Sequence, residues 1–259
     1  MSAPLPDQPG APIAEAEEYG QLFHHEGAFE DGAKIAKSTV LSGAERFLVV
    51  DNEDFGSLKE QYREACDKYG AIFPAERIFP NGMSGEQASR IVAVAETITN
   101  FNGGLPYDHT TDQNLAVYVG DEQGDRLARD GNATIKQFEC RRAMMCTEMG
   151  LIAQQLLSDD EEMTYISGSV DMNRDGRYEG HGFNIIKPAS EEYPAAILDV
   201  ANPIETRQED GTIVLTQYCA PLTAEQFEQF KNGDPVEVVY KDTVRDYSYS
   251  IANLAKTQW

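Results

Sequence analysis

The sequence predicts an α+β protein in which an antiparallel sheet packs against one long helix. A helical pattern runs from Thr134 to Leu157, and short β-like runs separated by turns follow it. One helix followed by successive strands on short connections leaves those strands to pair antiparallel and bury a face against it. Upstream, helical periodicity dominates, which predicts an N-terminal lobe that is mostly helical. The expected organisation is therefore a flexible leader over 1–30, a helical lobe over 31–132 and a core over 133–259.

The leader carries prolines at 4, 6, 9 and 12 and the acidic group Glu15, Glu17 and Glu18, a composition that does not bury a core. His24 and His25 at its end have no partner in the sequence pattern and receive no role. Phe47–Val50 reads as a first strand. Ser57 to Tyr69 repeats apolar residues at helical spacing through Leu58, Tyr62 and Ala65, and Gly70 stops it. Ser84 and Gln87 form a capping box ahead of Ile91, Val92, Val94, Ala95 and Ile98, an amphipathic helix that ends at Asn102-Gly-Gly104. Leu115–Val119 reads as a strand within a polar, turn-rich stretch. After the long helix, strands are expected at Met163–Val170, His181–Ile186, Ala195–Val200, Thr212–Cys219, Val236–Tyr240 and Tyr247–Ile251, with a helix at Ala224–Lys231.

Of 259 residues, 41% are hydrophobic, enough to bury one sizeable core. The 44 acidic residues outnumber the 21 basic ones, giving a formal net charge of −23. Such a surface repels phosphates and anionic headgroups, which argues against nucleic-acid and membrane partners. No apolar run reaches bilayer length, and Met1–Gly20 lacks the layout of a Sec signal. A cytoplasmic location, or export without such a signal, is expected. The four cysteines, Cys66, Cys140, Cys146 and Cys219, contain no C-x-x-C pair. If Cys140 and Cys146 share a helix, about 9 Å of axial rise separates them, too far for a disulfide. Free thiols are expected.

A thiol enzyme needs an ionisable cysteine, an imidazole within hydrogen-bond reach, and a carboxylate or amide that holds the imidazole's tautomer. Cys146 on the long helix, His181 at the start of a strand and Asp199 at the end of the next offer that set. Neighbouring antiparallel strands would bring His181 and Asp199 together. Cys140, in Cys140-Arg-Arg-Ala143, is a rival nucleophile. If the helix begins at Thr134, with Gln137 completing a capping box, Cys146 lies three turns inside and Cys140 sits nearer the N-terminal dipole.

The segment Cys146-Thr-Glu-Met-Gly150 with Leu151–Leu157, the strand at Tyr165-Ile-Ser-Gly168, the run His181-Gly-Phe-Asn-Ile-Ile186 and Leu198-Asp199-Val-Ala-Asn-Pro203 together resemble transglutaminase-like cysteine enzymes, including the peptide N-glycanase-like proteins. The likeness covers about residues 134 to 205. The chain has Phe183 where the family often has tryptophan, and Met145 where it often has glycine. The resemblance implies a transglutaminase-like, papain-like core with Cys146, His181 and Asp199 as its triad. It also implies action on an amide: protease, glutamine deamidase or transglutaminase, needing no cofactor and taking a protein or peptide substrate that carries a carboxamide. A leader without a Sec signal on such a core is similar to bacterial effectors. The alternatives are an inactive binding module of the same fold and a calcium-regulated interaction protein. The last rests on Asp171-Met-Asn-Arg-Asp-Gly-Arg-Tyr-Glu179, whose oxygens alternate ahead of Gly176 as in the first half of a calcium loop. Gly182 stands at its twelfth position, and Asp175-Gly176 is also a hairpin signal, so a solvated hairpin tip is the favoured reading and no metal is assigned.

Overall fold

The computed structural model describes residues 24–36, 46–79, 82–104, 111–119, 131–171, 176, 179–187, 190–202, 204–207, 213–217, 219–238 and 247–250. In chain order the strands are β1 (His24–Glu26), β2 (Lys34–Ala36), β3 (Phe47–Val49), β4 (Asn132–Ala133), β5 (Met163–Asp171), β6 (Glu179–Ile186), β7 (Ala195–Leu198), β8 (Ile204–Arg207), β9 (Ile213–Gln217), β10 (Cys219–Leu222), β11 (Val236–Val238) and β12 (Tyr247–Ser250). The α-helices are α1 (Gly56–Gly70), α2 (Gly85–Phe101), α3 (Thr111–Val119), α4 (Cys146–Leu157) and α5 (Ala224–Lys231). No helix among the described residues is long and apolar enough to cross a membrane.

The α+β architecture is observed. The principal sheet is antiparallel throughout, in the order β10-β7-β6-β5, with β12 and then β11 beyond β5. Strand β1 shares that far edge, pairing with Thr164–Ile166 while β12 pairs with Ser169–Asp171. The region upstream of α4 is helical but also contains a small sheet, β2-β3-β4, and a two-stranded sheet joins β8 to β9.

Helix α4 lies between this sheet and helices α1 and α2. Every residue from Thr147 to Leu157 is buried, because a helix covered on both sides has no solvent face to keep polar. Its polar side chains are therefore satisfied internally. Gln154 donates to the Gly27 carbonyl at 2.6 Å and to that of Met163 at 3.2 Å, and accepts from Asn184 at 2.9 Å. Gln155 accepts from the Phe29 N–H at 2.6 Å and donates to the Phe29 carbonyl at 3.2 Å and to Asn52 Oδ1 at 3.1 Å.

Four local expectations are corrected. The leader does not extend to residue 30: His24–Glu26 is a sheet strand, His25 Nε2 contacts the Ala28 carbonyl at 3.0 Å, and its ring stacks on Phe29. Leu115–Val119 belongs to a helix, because Asn114, Val117 and Tyr118 are buried together at helical spacing despite their β-forming neighbours. The expected strand at Thr212–Cys219 is two, β9 and β10. The helix expected from Thr134 starts at Cys146. Gln137 does accept from the Thr134 N–H at 2.7 Å, but this caps only a 3-10 turn, Ile135–Phe138. Cys140 and Arg142 then adopt φ of 57° and 54°, which no helix continues. The capping box of α2 and the span of α5 are as expected.

Replacing Gln155 by leucine should strip both Phe29 backbone groups of their partner. A loss of about 1–3 kcal/mol, read as a lower urea midpoint at unchanged slope, is the expected outcome.

Candidate active site

The start of α4 is held from three directions. The Met145 N–H donates to Glu148 Oε2 at 2.9 Å, across the first turn, and Glu148 Oε1 accepts from the Tyr118 hydroxyl at 2.7 Å. The Met144 N–H donates to Asn102 Oδ1 at 3.2 Å, and Asn114 Nδ2 donates to the Ala143 carbonyl at 2.8 Å. Helices α2 and α3 thus fasten the extended segment Ala143–Met145, and Cys146 emerges as the first residue of α4. At that position the uncompensated N–H groups favour negative charge on a side chain. The concern that Cys146 lies deep inside a helix is removed by the turn at Cys140–Arg142.

His181 and Asp199 come from adjacent strands. Strand β7 pairs with β6 only over Asn184–Ile186. Beyond Asn184 the two separate, and Asp199, one residue past the end of β7, turns toward His181. The His181 Nε2 to Asp199 Oδ2 distance is 2.7 Å, with Asp199 almost fully buried. Asn202 closes the turn: its N–H donates to Asp199 Oδ1 at 3.2 Å and its Nδ2 to Asp199 Oδ2 at 3.0 Å. Asn202 Nδ2 also stands 3.1 Å from His181 Nε2, so two donors converge on one carboxylate oxygen. The Cys146 side chain also acts on the imidazole, by its charge and by hydrogen bonding.

Burial alone would lower the pKa of His181. The charge of Asp199, then that of Cys146, and hydrogen bonds to both outweigh it, and the imidazole is pushed up to about 10. The charged imidazole is thus the favoured form at neutral pH, flanked by a carboxylate and a sulfur.

The structure brings Cys146, His181 and Asp199 into one cluster and leaves Cys140 out of it. Cys140 is exposed, and its backbone lies against Gly103. Cys219 is buried, and burial raises its thiol to about 12. Of the Asp171–Glu179 segment, the Gly176 N–H donates to Asp171 Oδ2 at 2.7 Å; Asn173 and Asp175 lie outside the described residues. No group of three or more His, Cys, Asp or Glu among the described residues is placed to hold a metal ion.

Sequence reasoning missed Glu148, Tyr118, Asn102, Asn114 and Asn202. For Glu148 a signal existed: glutamate at the third position of a helix reaches back to the cap. For Asn202 there was the Asx-turn chemistry of Asp199. The other three are brought in by tertiary packing.

The helix start and the strand meet at Gly182. A β-carbon there would stand 2.8 Å from Tyr165 Oη, 3.2 Å from Thr147 Cα and 3.3 Å from the Cys146 carbonyl carbon. The chain matches no family model and no curated protein.

Gly182→Ala should therefore push α4 away from β6. We expect about 1–3 kcal/mol of destabilisation by urea titration and slower alkylation of Cys146 in the fraction that folds. The elevated His181 pKa fixes the sign of a second effect. A group at about 10 in the fold and ~6.5 unfolded contributes stability that is full below ~6.5 and is lost as pH rises through 10. Wild type should lose ground to Asp199→Asn across that window in urea midpoints measured against pH.

Proposed function

We propose that this protein is a thiol enzyme acting on a carboxamide or peptide bond, with Cys146 as nucleophile, His181 as proton carrier and Asp199 as the group that orients the ring. The observation that carries the reading is the chain of contacts from Cys146 at a helix start, through the imidazole, to buried Asp199. A central helix beginning at the cysteine, followed by strands bearing the histidine and then the aspartate, also supports a transglutaminase-like core.

The chemistry follows from the charges. The thiolate attacks the carbonyl carbon, and the carbonyl electrons move to oxygen. When the tetrahedral species collapses, the C–N bond breaks and His181 delivers its proton to the departing amine, leaving a thioester on Cys146. Water, deprotonated by the now neutral imidazole, completes hydrolysis or deamidation. An amine in its place completes cross-linking. Asp199 keeps the ring oriented and offsets its positive charge, and Asn202 keeps Asp199 in place. The net charge of −23 favours a substrate with basic flanking residues.

Alkylation by iodoacetamide against pH, with the modified residue identified by mass spectrometry, tests the reading. Cys146 should label with a midpoint well below the ~8.5 of a free thiol. His181→Ala should return the midpoint toward that value and cut the rate of amide turnover by ~10²-fold or more. Preferential labelling of Cys140 would sink the nucleophile assignment. If no cysteine reacted faster than a free thiol, an inactive binding module would be the better description.

A further inference from the structure

Successive residues of β6 point to opposite faces of the sheet. Gly182 and Asn184 meet α4, the first through its close approach to Thr147 and the second through its bond to the Gly150 carbonyl. His181 and Phe183 therefore project from the other face, where their rings stack with centroids 5.9 Å apart and planes 21° from parallel. Phe183 is buried in an apolar cluster separate from that of α4, with Ile166, Ile185, Phe227 and Phe230. The Phe230 ring meets it edge-to-face at 6.0 Å. A ring from α5 thus holds Phe183, and Phe183 lies along the imidazole.

This contact supplies what the hydrogen bonds at the ring edge do not. The bond from His181 Nε2 to Asp199 fixes one line and leaves the ring free to turn about it. A flat neighbour, itself locked in a core, removes that freedom. An aromatic face within about 6 Å also attracts a cation, which an aliphatic side chain of similar size does not. The titratable groups that act on His181 are Asp199, past the end of β7, and Cys146, at the start of α4. Both favour a positive ring, and Phe183 adds to them.

We infer that Phe183 is a positioning residue for the base: its ring face sets the plane of the His181 imidazole and favours the positive charge that the imidazole carries. The inference rests on the reading of His181 as the base of a thiol site. The base is then braced from two sides of the sheet, by Asp199 at the ring edge and by the Phe183–Phe230 pair at the ring face. A ring held in its plane before the reaction needs little reorganisation when the proton moves.

The test follows the His181 imidazole by NMR against pH in the full chain, with His181→Gln to assign its signal. Wild type is compared with Phe183→Leu and with 4-fluoro- and 3,4,5-trifluorophenylalanine incorporated at position 183. The fluorinated rings keep nearly the same shape while withdrawing negative charge from the ring face. The His181 midpoint should fall along the fluorinated series by roughly half a pH unit, and at least as far in Phe183→Leu. Iodoacetamide labelling of Cys146 should move its midpoint upward in the same order, because a less charged imidazole supports the thiolate less. Urea midpoints check folding, and if Phe183→Leu fails to fold, the fluorinated series decides. A His181 midpoint that stays constant across that series would overturn the inference alone, leaving Phe183 a core residue. A wild-type Cys146 that labels at the free-thiol midpoint would overturn the nucleophile reading, and this inference with it.

Discussion

The contact between the first turn of α4 and β6 at Gly182 is the constraint on which the site depends. Without a side chain at 182, the helix backbone approaches the strand closely enough for a sulfur at its first residue to meet an imidazole on the adjacent strand residue. A β-carbon would have to displace either the phenol of Tyr165 or the helix itself. The placing of Cys146 against His181 is therefore set by a backbone-to-backbone distance, which is stiffer than any arrangement of long side chains.

Burying a helix on all sides makes its polar groups decisive. Gln154 and Gln155 carry the internal hydrogen bonds that tie α4 to Gly27 and Phe29, and Asn184 Nδ2 bonds both Gln154 and the Gly150 carbonyl. The same residues that satisfy the helix also dock the first described strand on the sheet. At the helix start, Glu148 plays the corresponding part, taking the Met145 N–H with one oxygen and the Tyr118 hydroxyl with the other. The segment leading into Cys146 is thus fixed by contacts from Asn102 at the end of α2, from α3 and from α4 together.

A buried charged pair is costly unless its remaining hydrogen-bonding capacity is met. Asp199 meets that condition: His181, the Asn202 side chain and the Asn202 backbone all reach its oxygens. The strand separation past Asn184 makes room for the pair, and the Asx turn that follows fills it. Stability and chemistry coincide here, because the carboxylate that holds the ring also keeps it charged.

Amphipathic helices and their caps were legible because hydrophobic spacing and Ser-x-x-Gln chemistry are local; α1, α2 and α5 follow from them directly. Strands β5, β6, β7, β11 and β12, and the order of cysteine, histidine and aspartate along the chain, were legible for the same reason, whereas β1 read as leader and β10 as the end of one longer strand. The start of α4 was not. The Thr134 capping box was genuine, yet the helical pattern behind it continues across a turn whose left-handed residues, Cys140 and Arg142, are held by backbone bonds to Phe101 and Asn102. Leu115–Val119 misled in the same way, since packing of Asn114, Val117 and Tyr118 overrode its β-forming composition. The sequence by itself determined which residues are chemically able to form the site and those helices and strands whose pattern is local. Only the tertiary structure decided that Cys146 stands at a helix start beside His181, because that depends on contacts between segments that no local pattern encodes.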